Sequence, residues 1–198
     1  GFADRDTVIT IDFSDADNLI SIDLSNNKFT ELDFTHCEKL QTLRASNNLL
    51  TSIVYPMTNN IDTLAIDGNK FTLATLPEQG SLKQYKYAPQ ADIQIATKGP
   101  STDLSEQNRT IDGAQTVYVW KRIKDGTALA EGSDYTIENG LTRFVTVGDT
   151  IYCEMSHPAF SDFAGANVLK TTPILAAGMP TNVVASFKTT ADGDTVRL

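Results

Sequence analysis

Apolar residues recur along the first part of the chain with a period of 21 positions. Three stretches share one pattern: Leu19-x-x-Ile22-x-Leu24-x-x-Asn27, Leu40-x-x-Leu43-x-Ala45-x-x-Asn48 and Ile61-x-x-Leu64-x-Ile66-x-x-Asn69. A second apolar trio keeps the same register. Phe29, Leu32 and Phe34 return as Leu50, Ile53 and Tyr55, and one period earlier stand Val8, Ile11 and Phe13, so the chain opens with a half-repeat.

A signature of this length and form is that of a leucine-rich repeat, and it predicts a solenoid of stacked coils over residues 1–80. In each coil the first trio faces inward from a short parallel strand, and the second fills the core from the convex side. Each Asn turns the chain away from the strand, where its amide can satisfy backbone groups that the turn leaves unpaired. Side chains alternate along a strand, so the spacer residues line the exposed concave sheet. These candidate ligand-facing positions are Ser21, Asp23 and Ser25; Thr42, Arg44 and Ser46; and Thr63, Ala65 and Asp67. The set is small and polar and lacks the Trp or Tyr anchors that dominate protein hot spots. Arg44 stands between Asp23 and Asp67, and its simplest reading is a lateral ion pair across neighbouring strands.

The repeat is expected to stop after Asn69, because Pro77 and Gly80 interrupt the pattern and no fourth Asn follows at the next interval. From Leu82 onward, short alternating runs are divided by turn signals. The runs are Asp92 to Ile95, Thr116 to Ile123, Tyr135 to Ile137, Arg143 to Val147, Thr150 to Met155 and Val168 to Ile174. The breaks are Gly99-Pro100, Asp112-Gly113, Asp125-Gly126, Asn139-Gly140 and Gly148-Asp149. Residues 81–177 are therefore expected to form an antiparallel β-sandwich, and the fold class as a whole to be mainly β. After Gly178-Met179-Pro180, a linker-like break, the run Asn182 to Lys188 reads as a strand. Residues 178–198 are thus expected to be a linker and the start of a further domain, with an added edge strand on the sandwich as the alternative.

Val117-Tyr118-Val119-Trp120-Lys121-Arg122, followed by Asp125-Gly126-Thr127-Ala128-Leu129, resembles the third strand and following hairpin of an immunoglobulin-like domain with its core Trp. Gly148-Asp149-Thr150-Ile151-Tyr152-Cys153 is similar to the penultimate strand of that fold. The family's other cysteine is missing from Ser101 to Thr116, so no disulfide between sheets is expected. Repeats joined directly to such a domain resemble the internalin-like surface proteins of bacteria. The resemblance implies that the β-sandwich supports the open end of the solenoid and that the pair binds an external protein in adhesion. It also implies an extracellular or cell-surface location.

Composition narrows the remaining classes. Residues 1–80 carry five Lys or Arg against twelve Asp or Glu, and residues 81–177 nine against eleven. An acidic chain without a basic, aromatic-interleaved cluster is a poor partner for nucleic acid. No apolar run approaches the length needed to span a bilayer, so no membrane insertion is expected. The chain opens Gly1-Phe2-Ala3-Asp4 with no leader pattern, as a mature or excised fragment would. Two cysteines, Cys37 and Cys153, are too few for a disulfide framework.

Candidate chemistry is sparse. His36 and Cys37 are adjacent on an extended segment, so their side chains diverge. His157 precedes Pro158 and is expected to be solvated. Asp12, Asp15 and Asp17 lack the Gly and distal Glu of a calcium loop and read as a capping turn. Asn108-Arg109-Thr110 is a glycosylation sequon. Tyr85 and Tyr87 could anchor a ligand at the junction, or seal the last coil against the sandwich. No cofactor and no enzymatic activity are expected. Three functions remain: a module that binds an extracellular protein, a spacer that displays a downstream domain, and a carbohydrate-capturing surface protein.

Overall fold

The computed structural model describes residues 11–56, 60–145 and 148–177. Val8 of the opening half-repeat, Val147, and the whole of 178–198 with its expected linker and strand lie outside the described residues. The protein is mainly β, with no α-helix among the described residues.

The 21-residue period becomes a parallel sheet. Its strands are β1 (Ser21–Asp23), β2 (Thr42–Arg44), β3 (Thr63–Ala65) and β4 (Gln84–Lys86), each paired with the next. Ser21 lies opposite Thr42, Thr42 opposite Thr63, and Thr63 opposite Gln84. Behind the sheet the two apolar trios meet in one core. Phe29, Leu32, Phe34, Leu40, Leu43, Leu50, Ile61, Leu64, Ile66 and Phe71 are all buried, whereas Ile11 is 41% exposed. Phe13 packs on Phe34 with ring centroids 4.8 Å apart.

The signature asparagines tie one coil to the next. Asn48 donates from Nδ2 to Ala45 O of its own coil at 3.1 Å and to Leu24 O of the preceding coil at 2.9 Å, and its Oδ1 accepts from Phe29 N at 3.1 Å. Asn69 repeats the pattern with Ile66 O, Ala45 O and Leu50 N. These backbone groups sit where the chain leaves its strand and can reach no ladder partner, so the buried amide satisfies them.

The repeat does not end where the third Asn suggests. Leu82-x-x-Tyr85-x-Tyr87-x-x-Gln90 is a fourth copy in which Gln90 takes the asparagine's place, so the parallel sheet continues past residue 80. Gln90 Oε1 accepts from Phe71 N at 3.0 Å, and Nε2 donates to Ile66 O at 2.9 Å and to Tyr87 O. Asn and Gln carry the same amide, so one extra methylene hides the motif from a search for Asn.

Past Gln90 the chain extends as 91–97 into β5 (Lys98–Gly99), turns at Pro100 and re-emerges as β6 (Ser101–Asp103) in a different sheet. Then come the short pair β7 (Thr110–Ile111) and β8 (Ala114–Gln115), β9 (Val117–Arg122), β10 (Tyr135–Glu138), β11 (Leu141–Phe144), β12 (Thr150–Ser156), β13 (Leu169–Lys170) and β14 (Ile174–Ala176). β12 is central to the larger sheet. It pairs antiparallel with β9 along one edge and with β13 and β14 along the other, and β14 pairs parallel with β5. The smaller sheet has the order β10-β11-β6. Asn139 and Gly140, with φ of 49° and 87°, make the β10–β11 turn. A Cβ on Gly140 would lie 2.6 Å from Leu104 O, so both conformation and space require glycine there.

The two sheets meet at Trp120 of β9, which is wholly buried. Its Nε1 donates to Thr142 Oγ1 of β11 at 3.1 Å, and its ring meets Phe144 edge-on at 4.9 Å. Cys153 lies opposite Trp120 in the β9–β12 register, and both cysteines are buried free thiols.

Asn69 replaced by Ala leaves Leu50 N without a partner in the interior and takes one of two amide donors from Ala45 O and Ile66 O, which keep Asn48 and Gln90. We expect a loss of about 1–3 kcal/mol in urea unfolding, against about 1 kcal/mol or less for Asn27→Ala, whose side chain is exposed.

Candidate functional site

Three rows of side chains run across the outer face of the parallel sheet. Ladder register aligns Asp23, Arg44, Ala65 and Lys86 in one row and Ser21, Thr42, Thr63 and Gln84 in another, and the spacing continues with Ser25, Ser46, Asp67 and Ala88. Ser21, Asp23, Arg44, Gln84 and Lys86 are exposed, while Ser25, Thr42, Ser46, Thr63 and Ala65 are half-buried. The expected positions therefore share one face, joined by Gln84 and Lys86 of the unforeseen fourth strand.

The charges pair differently from the expected pattern. Asp67 is buried, accepts from Ser46 Oγ at 2.5 Å, and pairs with Lys86 Nζ at 2.9 Å. Arg44 makes no ion pair with Asp67 and none within 4.0 Å among the described residues. Lys86 stands between that carboxylate and solvent, a partner visible only once the fourth strand is placed. Asp23 Oδ1 accepts from Ser25 N at 2.9 Å. Hydrogen bonds from Ser25, with a smaller contribution from the Arg44 charge, hold the Asp23 carboxyl below its usual range. Arg44 is thus an exposed guanidinium with five donors and no acceptor side chain bound to it among the described residues.

Beside this face, at the entry ends of the strands, runs a groove of about 550 Å³ lined by Ile20, Lys39, Gln41, Asn60, Asp62 and Lys83. Lys83 pairs with Asp62 at 2.9 Å, and Lys39 donates to Asn18 Oδ1 at 2.7 Å. The groove presents amides and ammonium groups, which suits hydrogen bonding to a polar surface.

Tyr85 and Tyr87 do not face a ligand. They occupy the inward frame positions of the fourth coil, which explains both their burial and their place in the sequence. Tyr85 packs against the core and donates to Pro77 O at 2.8 Å, and burial pushes its phenol up. Tyr87, 5% exposed, meets Phe160 and Phe163 edge-on at 5.6 and 5.2 Å, and its hydroxyl oxygen accepts from Asp162 N at 2.8 Å.

The same junction holds a residue that the sequence reading passed over. Arg109 Nη1 donates to Leu73 O and Leu76 O at 2.9 and 2.6 Å, its Nη2 bonds Glu78 Oε1 at 2.9 Å, and its guanidinium lies 5.4 Å from the Phe160 ring centroid. In sequence Arg109 is visible only as the middle of a sequon; the carbonyls it reaches lie more than thirty residues earlier. His157, expected in solvent, is 2% exposed. Its Nδ1 accepts from Ala159 N at 3.1 Å, capping the turn Pro158–Phe160, and its Nε2 lies 3.1 Å from Ala114 O. Proline after histidine begins that short 3-10 turn, and the turn folds the ring inward.

Other expected sites are simpler. His36 is exposed while the neighbouring Cys37 is fully buried, so the two side chains diverge. Asp12 Oδ1 accepts from Ser14 N at 2.9 Å, as a capping turn requires.

Arg109→Ala removes two part-buried charge-assisted hydrogen bonds to backbone carbonyls at once. We expect it to cost about 2–4 kcal/mol in equilibrium unfolding, whereas Glu78→Gln, which only weakens an ion pair whose acid is 58% exposed, should cost under about 1 kcal/mol.

No protein-family model, no curated protein and no solved structure matches this chain.

Proposed function

We propose that the chain is a non-enzymatic protein-binding module of the extracellular or cell-surface kind, built as a leucine-rich-repeat solenoid capped by an immunoglobulin-like β-sandwich. The observation that carries this reading is the exposed strand face. Four strands in register present Ser, Thr, Gln and three charged side chains, while the apolar residues are turned inward. A flat polar face built on rigid strands suits a partner recognised by shape and hydrogen bonds, and the exposed Arg44 is the residue type most apt to carry such a contact. The resemblance to internalin-like proteins supports adhesion as the setting.

A second reading, a spacer displaying a further domain, is favoured by the junction. Arg109, Tyr87 and the extension 91–97 bind the two parts at several points, which suits a stiff stalk.

The two readings separate in a screen of the immobilised chain against secreted and surface proteins. Adhesion predicts a saturable partner whose affinity falls at least about tenfold with Arg44→Glu, in a variant whose unfolding midpoint is unchanged. A partner indifferent to Arg44→Glu removes the strand face as the site. The absence of any partner up to micromolar concentrations favours the spacer.

A further inference from the structure

The segment 93–97 carries a feature that neither reading uses. Its odd-numbered residues are bonded to the larger sheet: Ile93 N donates to Lys170 O, Thr172 N to Ile93 O, and Leu175 N to Thr97 O, each at 2.8 Å, and Ile95 N donates to Thr172 Oγ1 at 3.1 Å. In an extended strand the intervening backbone groups point to the other side. Gln94 and Ala96 are exposed, and their backbone N–H and C=O groups bond to nothing among the described residues. The segment continues into β5, the last strand on its side of the sheet. It is therefore an open edge.

Two further observations concern what lies beside that edge. Between it and residues 103–107 runs a groove of about 330 Å³ whose lining includes Ile93, Gln94, Ile95, Leu104 and Gln107. Gln107 is 5% exposed, and its buried Oε1 has no hydrogen-bond partner. A buried acceptor left unpaired is costly, so a donor supplied from outside is worth more there than on open surface. The edge also lacks charged and proline protection. Ile93-Gln94-Ile95-Ala96-Thr97 contains neither, and its one irregularity is a single extra residue against 171–175 between the Ile93–Thr171 and Lys98–Leu175 pairings.

We propose that this edge is a docking site for an extended segment of a partner polypeptide, added as a further strand. The partner's backbone pairs with Gln94 and Ala96, and an N–H or O–H donor on it reaches Gln107 Oε1. Main-chain hydrogen bonds supply the affinity, and the half-buried Ile93 and Ile95 supply apolar contact. The wall at 103–107 favours a single slender strand over the edge of a second folded copy. The inference uses none of the strand-face residues and stands apart from the proposal above.

The test is amide hydrogen exchange on the full chain with an uncharged-core probe, the acetylated peptide Lys-Thr-Val-Thr-Val-Thr-Lys, at about millimolar concentration. Docking slows exchange at Gln94 and Ala96 at least about tenfold and leaves Ile93, already bonded, unchanged. The same peptide N-methylated at every residue must have no effect, a control that leaves the protein unaltered, and Gln107→Leu must weaken the protection. No slowing at either amide overturns the proposal, as does equal slowing by the methylated peptide. Protection that appears without peptide as protein concentration rises also overturns it, because the edge then belongs to a second copy.

Discussion

Everything in the first half of the molecule depends on one amide per coil. A chain that leaves a three-residue strand by a sharp turn exposes backbone groups to an apolar interior, and no neighbouring strand can reach them. Asn48 and Asn69 bind those groups within their own coil and in the coil before it. Each therefore fixes a turn and a stacking distance together. The apolar trios supply most of the burial free energy, but they do not by themselves set a register of 21 residues. Gln90 extends the same bonding to the last coil, where the stack meets the rest of the protein.

That meeting point is specified by polar groups set among aromatic ones. Tyr87 offers its ring edge-on to Phe160 and Phe163 and its hydroxyl to Asp162 N, while Arg109 caps carbonyls at Leu73 and Leu76 that the coil cannot satisfy. Aromatic packing tolerates sliding; directed hydrogen bonds do not. With 91–97 laid into the larger sheet as well, the last coil is held by strand pairing, ring contacts and a guanidinium clamp at once.

Much of this was legible in the sequence, and the failures have identifiable causes. Periodicity found three strands of the parallel sheet and the rows across its face, because an interior that repeats imposes a repeat on its residues. Gly99-Pro100 and Asn139-Gly140 marked a sheet crossing and a hairpin turn, since few other residues tolerate those conformations. The fourth coil was missed because Gln stands for Asn and two tyrosines fill positions where aliphatic residues were sought. From that one omission followed two others: Tyr85 and Tyr87 were left open between ligand anchors and a seal at the junction, and Asp67 was paired with Arg44 in place of Lys86. Arg109 and His157 were beyond local reading, because what defines each is a carbonyl distant in sequence.

The parallel pairing of 93–99 with 171–177 also determines how the protein bears load. Tension that enters from the coils pulls this segment at its N-terminal end, while tension leaving through Ala177 pulls β14 at its C-terminal end. In parallel neighbours those ends lie at opposite extremes of the ladder, so the strands are sheared along their length instead of being peeled apart. The bonds of Ile93, Thr97 and Gly99 with residues 170–177 are then strained together, and none can open first to spare the others.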